Sequence, residues 1–149
     1  MEIIGLRYMN VFGPRQRADS PYSGVISIFL ERLARQQPLT IHGDGEQTRD
    51  FIFVNDVVRA NLHAAHVPFQ SKQTVFNIGR GEKTTLNQLV DIMQSVVGRD
   101  VTINYAAARK GDIRHSCADV SRANAWGFSA ETSLYNGLCA TYQWLHGNR

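Results

Sequence analysis

The chain is poor in cysteine, with only Cys117 and Cys139 among 149 residues. Two thiols cannot build the multi-disulfide framework on which small secreted folds depend, which fits a reduced, cytoplasmic chain. Both read as small core-filling residues. Charge of one sign is also scarce: 16 basic against 13 acidic residues leave a formal net charge of +3. The basic residues are scattered among apolar segments rather than gathered into a stripe, which argues against nucleic acid and for a small anionic ligand as partner. No apolar run approaches membrane-spanning length, and Arg7 interrupts the N-terminal segment before a signal-peptide core could form, so no membrane association is expected. His63 and His66 could share a helix face, but no cluster supplies the further donors of a zinc site. No metal is expected, and both histidines read as solvent-facing.

What is present is 43% hydrophobic content, enough for one core and one domain over residues 1–149. The elements alternate as in an α/β fold. Residues 3–8 read as a strand broken by Gly13-Pro14, with a polar loop running on to Pro21. Ile26, Phe29, Leu30 and Leu33 recur at helical spacing and stop before Pro38. Residues 39–41 and 51–54 read as short strands separated by the turn Gly43-Asp44-Gly45. Asn55 or Asp56 is placed to cap a helix containing Val58, Leu62 and Ala65. Residues 75–78 form another strand, and Thr85 with Gln88 makes a capping box for a helix carrying Leu86, Leu89, Val90, Met93 and Val97 up to Gly98. A strand at 101–105 and a last helix, capped by Thr132 and carrying Leu134, Leu138, Tyr142 and Leu145, complete the pattern. Gly79-Arg80-Gly81-Glu82-Lys83-Thr84 stands where a phosphate-binding loop would. Glu82 replaces the glycine before the lysine, however, and the segment reads as a plain strand-to-helix turn.

Function is carried by separated motifs. Arg7-Tyr8-Met9-Asn10-Val11-Phe12-Gly13-Pro14-Arg15 is followed by Leu39-Thr40-Ile41-His42-Gly43, then Gly43-Asp44-Gly45-Glu46-Gln47-Thr48-Arg49-Asp50-Phe51-Ile52-Phe53-Val54, then Arg109-Lys110-Gly111-Asp112. Together they resemble the extended short-chain dehydrogenase/reductase superfamily, and within it the NAD-dependent UDP-hexose 4-epimerases, including those acting on UDP-N-acetylglucosamine. The resemblance implies a small mixed α/β domain equivalent to the substrate-binding lobe of such an enzyme plus the edge strands of its Rossmann sheet. It also implies the second half of such an enzyme, without its first half.

The site residues follow from the same resemblance. Asn10 matches an asparagine beside the substrate diphosphate, where its amide can donate to phosphate oxygen; alternatively it stabilises its own turn. Ser23-Gly24-Val25-Ile26 resembles the start of the helix that receives the diphosphate. Free amides there attract anions, and Gly24 leaves space for close approach, although ordinary helix initiation would look the same. Thr40 and His42 match the segment that cradles the base, through a hydrogen bond to uracil and a flat ring face; a surface edge strand is the alternative. Arg49 and Arg109 match two phosphate-binding arginines, whose guanidinium groups offer paired donors and stay charged. Asp112 matches an acceptor for ribose hydroxyls, or else serves as a cap or salt-bridge partner. Ser116 corresponds to the position that limits the C2 substituent. Its small side chain favours UDP-GlcNAc or UDP-GalNAc.

Two features of such enzymes are missing from these 149 residues: the glycine-rich turn that brings amides to the NAD pyrophosphate, and the Tyr-x-x-x-Lys pair. Tyr105 with Arg109 is a near miss, but arginine cannot stand in for that lysine. Epimerisation through a 4-keto intermediate needs hydride storage on nicotinamide and a general base at the sugar hydroxyl. The expectation is therefore a UDP-sugar-binding module with no catalytic residue, no metal and no cofactor held by this chain alone. The other reading is an oligomerising structural remnant without useful affinity; the presence of His42, Arg49, Arg109 and Asp112 favours the first. A separate NAD-binding chain is a possible partner. A homo-oligomer is expected as well, because the strands at 3–8 and 75–78 would leave an open backbone edge, with Ile3, Ile4, Leu6, Val75, Phe76 and Ile78 exposed.

Overall fold

Residues 5–12 form one extended run that changes partner halfway, and this switch organises the fold. The computed structural model describes residues 3–20, 23–68 and 74–147; Met1, Glu2 and Pro21 lie outside them. In chain order the elements are β1 (Gly5–Tyr8), β2 (Asn10–Phe12), α1 (Val25–Ala34), β3 (Leu39–His42), β4 (Thr48–Arg49), β5 (Phe51–Phe53), α2 (Val54–His66), β6 (Val75–Ile78), β7 (Thr84–Thr85), α3 (Leu86–Val97), β8 (Ile103–Ala106), α4 (Ser121–Ala125) and α5 (Leu134–Gly147). β1 runs parallel to β6, with Gly5 opposite Val75 and Tyr8 opposite Ile78. Met9 still donates to the Ile78 carbonyl at 2.9 Å, but Asn10 donates to Asp50 at 3.1 Å. From there β2 runs parallel to β5, with Asn10 opposite Phe51. β3 and β8 form a second parallel pair, and β4 with β7 a short antiparallel one. The result is the mixed α/β architecture that the alternation predicts.

Two hydrophobic clusters lie on opposite sides of β5. Phe51 and Phe53 join Phe12, Leu30, Leu33, Leu89, Met93 and Leu138 in the larger cluster, whereas Ile52 joins Phe76, Ile78, Val57, Ala60 and Trp126 in the smaller. The period-two alternation of a strand explains this division, and burial on both faces explains why Phe51-Ile52-Phe53 reads as a continuous apolar run. The predicted stripe Ile26, Phe29, Leu30 and Leu33 is the buried face of α1. The Thr85–Gln88 capping box forms as expected, and Gly98 ends α3 in the left-handed conformation at φ 69°.

Gly137 lies on the buried face of α5 because the Phe12–Phe53 ring pair, with centroids 5.7 Å apart, leaves no room for a methyl group. A Cβ there would fall 2.7 Å from Phe12 Cζ and 3.0 Å from Phe53 Cδ2. Helix propensity alone favours Gly137→Ala by about 1 kcal/mol. Overpacking of two rings reverses the sign, and a net loss of about 1–3 kcal/mol is expected in urea unfolding. An unchanged or raised midpoint would show that the rings yield.

Several sequence expectations are corrected. Neither Asn55 nor Asp56 caps α2, which begins after Phe53 without a side-chain cap. Asp56 instead reaches across the fold to accept from the amides of Glu131 at 3.1 Å and Thr132 at 3.0 Å, with Arg59 at 2.8 Å. Burial alone would raise its carboxyl, but those donors bring it below the usual carboxylate range. Thr132 does not cap α5; Ser133 Oγ accepts from the Asn136 amide at 3.1 Å. On α2, Val58 and Leu62 face solvent. His63 is half-buried rather than solvent-facing, with Nε2 3.0 Å from the Trp126 carbonyl and its ring edge-on to the indole. Cys117 and Cys139 are half-buried rather than core residues.

The expected exposed edge is smaller than its sequence suggests. Phe76 and Ile78 are buried at 1% and 0% exposure beneath Trp126, while Ile3 at 62% and Val75 at 44% remain open. Trp126 stacks on Phe76 with centroids 4.3 Å apart, and Arg122 of α4 lies 5.2 Å over the same ring. Among the described residues β6 is the strand partner of β1, whose other edge stays open.

Candidate functional site

The ends of the first strands, the start of α1 and the segment leading into β4 enclose a cavity of about 260 Å³. That is near the lower end of small-ligand sites, about 300 Å³. Asn10 stands where the extended run changes partner from β6 to β5. Its Nδ2 donates to the Asp50 carbonyl at 3.0 Å, so the amide steadies β5 rather than its own turn. Gly24 precedes α1 with extended φ and ψ of −68° and 154°, no side chain caps the helix, and no acidic residue occupies its first turn. Among the described residues no side chain takes its N-terminal amides, which suit an anion. A Cβ on Gly24 would meet nothing of the chain closer than 3.6 Å. Its small size matters only against something placed in the cavity.

Strand alternation sorts the other side chains. On β3, Leu39 and Ile41 are buried in the core while Thr40 and His42 face the cavity, half-buried. His42 Nδ1 lies 3.3 Å from the Ala107 carbonyl, which fixes its ring beside the segment bearing Arg109. Through 47–50 the same period turns Gln47 and Arg49 toward the cavity and Asp50 away from it. Arg49 donates to the carbonyls of Thr48 at 2.9 Å and Ile113 at 2.6 Å, and to Asp112 Oδ1 at 2.5 Å. Three of the five guanidinium donors are thus engaged, and the arginine holds Asp112 at the wall. The Arg109 side chain is exposed and makes no bond to another side chain among the described residues. Arg114 is engaged differently: it forms two bonds to Asp44, at 2.6 and 2.8 Å, and with the Glu46 amide holds that carboxyl down to about 2. The positive charge offered to a ligand is therefore that of Arg49 and Arg109.

Asn10, Gly24, Val25, Thr40, His42, Arg49, Arg109 and Asp112 all line this one cavity. Ser116 does not; it is half-buried, and its N–H donates to the Thr48 carbonyl at 3.1 Å as the 114–116 segment runs beside β4. Sequence reasoning missed Gln47 and Gln16, which also line the wall. For Gln47 the signal was its place two residues before Arg49 in a strand-like segment.

The Gly79-Arg80-Gly81 turn has a partner of its own. Asp50, fully buried, accepts from the amides of Arg80 at 2.9 Å, Gly81 at 3.0 Å and Ala118 at 3.2 Å. A Cβ on Gly79 would lie 2.5 Å from Asp50 Oδ2, so only glycine allows this approach. The glycine-bearing strand-to-helix turn thus encloses an internal carboxylate, and its residues do not fit a dinucleotide pyrophosphate. No cluster of metal-ligating side chains occurs among the described residues. No helix among them is long and apolar enough to cross a membrane.

The UDP-glucose 4-epimerase of Thermotoga maritima, solved with UDP-glucose, is 42% identical and superposes with a TM-score of 0.87 over 96% of this chain and 45% of its own. The UDP-N-acetylglucosamine 4-epimerase of Methanobrevibacter ruminantium, solved with UDP-N-acetylmuramic acid, is 36% identical with a TM-score of 0.90 over 98% of this chain and 46% of its own. The UDP-glucose 4-epimerase of Mycolicibacterium smegmatis is 35% identical over 137 residues, 91% of this chain and 43% of that protein. The chain spans about half the length of the curated relatives it matches, 47%, 42% and 44% for three further ones. Residues 1–79, more than half of the chain, match the model of a single family. By sequence and fold, this chain belongs to the NAD dependent epimerase/dehydratase family.

Proposed function

We propose that this chain is the nucleotide-sugar-binding portion of an epimerase-like protein, and that its cavity takes the UDP moiety. The observation that carries the reading is the convergence of eight separated residues, from Asn10 to Asp112, on one cavity. The open amides of α1 and the charges of Arg49 and Arg109 suit a diphosphate. Thr40 and the fixed ring of His42 suit a base, and Asp112, held by Arg49, suits a ribose hydroxyl. Two similar structures were solved with UDP-linked sugars, which supports the same ligand class here.

Hydride transfer and proton abstraction at the sugar are assigned to a portion carrying the glycine-rich turn and the Tyr-x-x-x-Lys pair. In the family NAD supplies the hydride store, and this chain's residues bind and orient the substrate. The open edge of β1, with exposed Ile3 just before the strand, is the proposed contact for that portion or for a second copy. A preference for UDP-GlcNAc or UDP-GalNAc rests on the small side chain of Ser116, which stands outside the cavity wall. Calorimetric titration with UDP, UDP-glucose, UDP-GlcNAc and NAD tests the whole reading. UDP and the UDP-sugars are expected to bind and NAD to be silent. Equal affinities for the two sugars would remove the N-acetyl preference alone.

A further inference from the structure

Gln47 is a buried polar side chain at the cavity wall whose bonding is incomplete. The residue is 5% exposed, its Nε2 donates to the His42 carbonyl at 2.7 Å, and its Oε1 is buried with no hydrogen-bond partner among the described residues. The orientation of the amide is not arbitrary. A backbone carbonyl can only accept, so the amide nitrogen must face His42 and the oxygen must face the other way. An acceptor shut off from water without a donor is costly, and natural structures keep such groups where something else supplies the donor. Gln47 sits between the two sets of residues assigned to the nucleoside: it is bonded to His42 on β3, and it stands two residues from Arg49, which holds Asp112.

We infer that Gln47 Oε1 accepts a hydrogen bond from a donor on the nucleoside of the ligand, and so helps select which nucleotide the cavity takes. The inference rests on the reading of the cavity as a UDP site and adds a residue to it. Two such donors are the ribose 2′-hydroxyl and the ring N3–H of uracil. Both deliver the same chemistry, and a pair of analogues separates them.

The test is a binding cycle between side chain and ligand, which cancels purely structural effects. UDP, 2′-deoxy-UDP and 3-methyl-UDP are titrated into the wild-type chain, Gln47→Met and Gln47→Glu. The wild type should lose about ten- to a hundredfold in affinity for the analogue that lacks the donor. Gln47→Met, close in volume but without an acceptor oxygen, should bind that analogue and UDP alike. Gln47→Glu sets an oxygen against the His42 carbonyl and should bind UDP more weakly overall, but it retains an acceptor toward the ligand and should keep the discrimination ratio. If Gln47→Met does not fold, the wild type still decides: the side-chain amide resonance of Gln47 should shift with UDP and not with the analogue that lacks the donor. An unchanged discrimination ratio in Gln47→Met, or a resonance that moves equally with both analogues, overturns the assignment while leaving UDP binding intact. Failure of the wild type to bind UDP at all overturns the nucleotide reading and this inference with it.

Discussion

Asp50→Ala is expected to destabilise the chain by about 3–5 kcal/mol, the loss typical of removing one partner from a buried charged network. The carboxylate is fully buried and accepts from three backbone amides, those of Arg80, Gly81 and Ala118. Truncation leaves all three donors buried without an acceptor, and each such group costs about 1–3 kcal/mol. The damage should also spread, because those amides belong to two segments 30 to 68 residues away in sequence, and the Asp50 carbonyl receives both the amide and the side chain of Asn10. Asp50→Asn keeps one oxygen and the shape of the side chain, and should retain part of the loss. Urea unfolding followed by circular dichroism measures the effect. A loss below about 1 kcal/mol would mean that water replaces the carboxylate.

Arg49→Ala should weaken UDP binding by about ten- to a hundredfold, the equivalent of one charge-assisted hydrogen bond of about 1.5–3 kcal/mol. The substitution removes a positive charge from the cavity and frees Asp112, since the same guanidinium holds Oδ1 at 2.5 Å. A carboxylate released beside a diphosphate repels it, so both consequences act in one direction. Stability should change much less, because the pair is partly exposed, at 18% and 35% for the two side chains. Arg49→Lys separates charge from geometry. It keeps the cation but lacks the planar fork that reaches Thr48, Ile113 and Asp112 together, and should recover only part of the affinity. Calorimetry on the three proteins reads the effect. Unchanged affinity in Arg49→Ala would place the diphosphate elsewhere.

Much of the fold was legible because its signals are local. The apolar stripe of α1, the Thr85–Gln88 capping box and the left-handed Gly98 each depend on neighbours within a few residues. The cavity was legible through resemblance rather than through pattern: eight of the proposed positions meet there, although they span residues 10 to 112. What the sequence concealed depends on distant partners. Asp56 looked like a helix cap because it stands near the start of α2, but its acceptors serve amides 75 and 76 residues later. Phe76 and Ile78 looked exposed because the five-residue α4 and the Trp126 that follows it, which cover them, are too short to give a periodic signal. The turn at Gly79 resembled an anion cradle without the full glycine pattern, and the anion it holds is the chain's own Asp50. Ser116 is the proposed position that the fold carries away from the wall, because the 114–116 segment pairs with β4.

The central claim is that this chain holds the UDP end of a nucleotide sugar and not the dinucleotide. Titration calorimetry of the 149-residue chain with UDP and, separately, with NAD tests it most directly. Saturable heat is expected with UDP, weakened in Arg49→Ala, and none with NAD. Binding of NAD with UDP silent would contradict it.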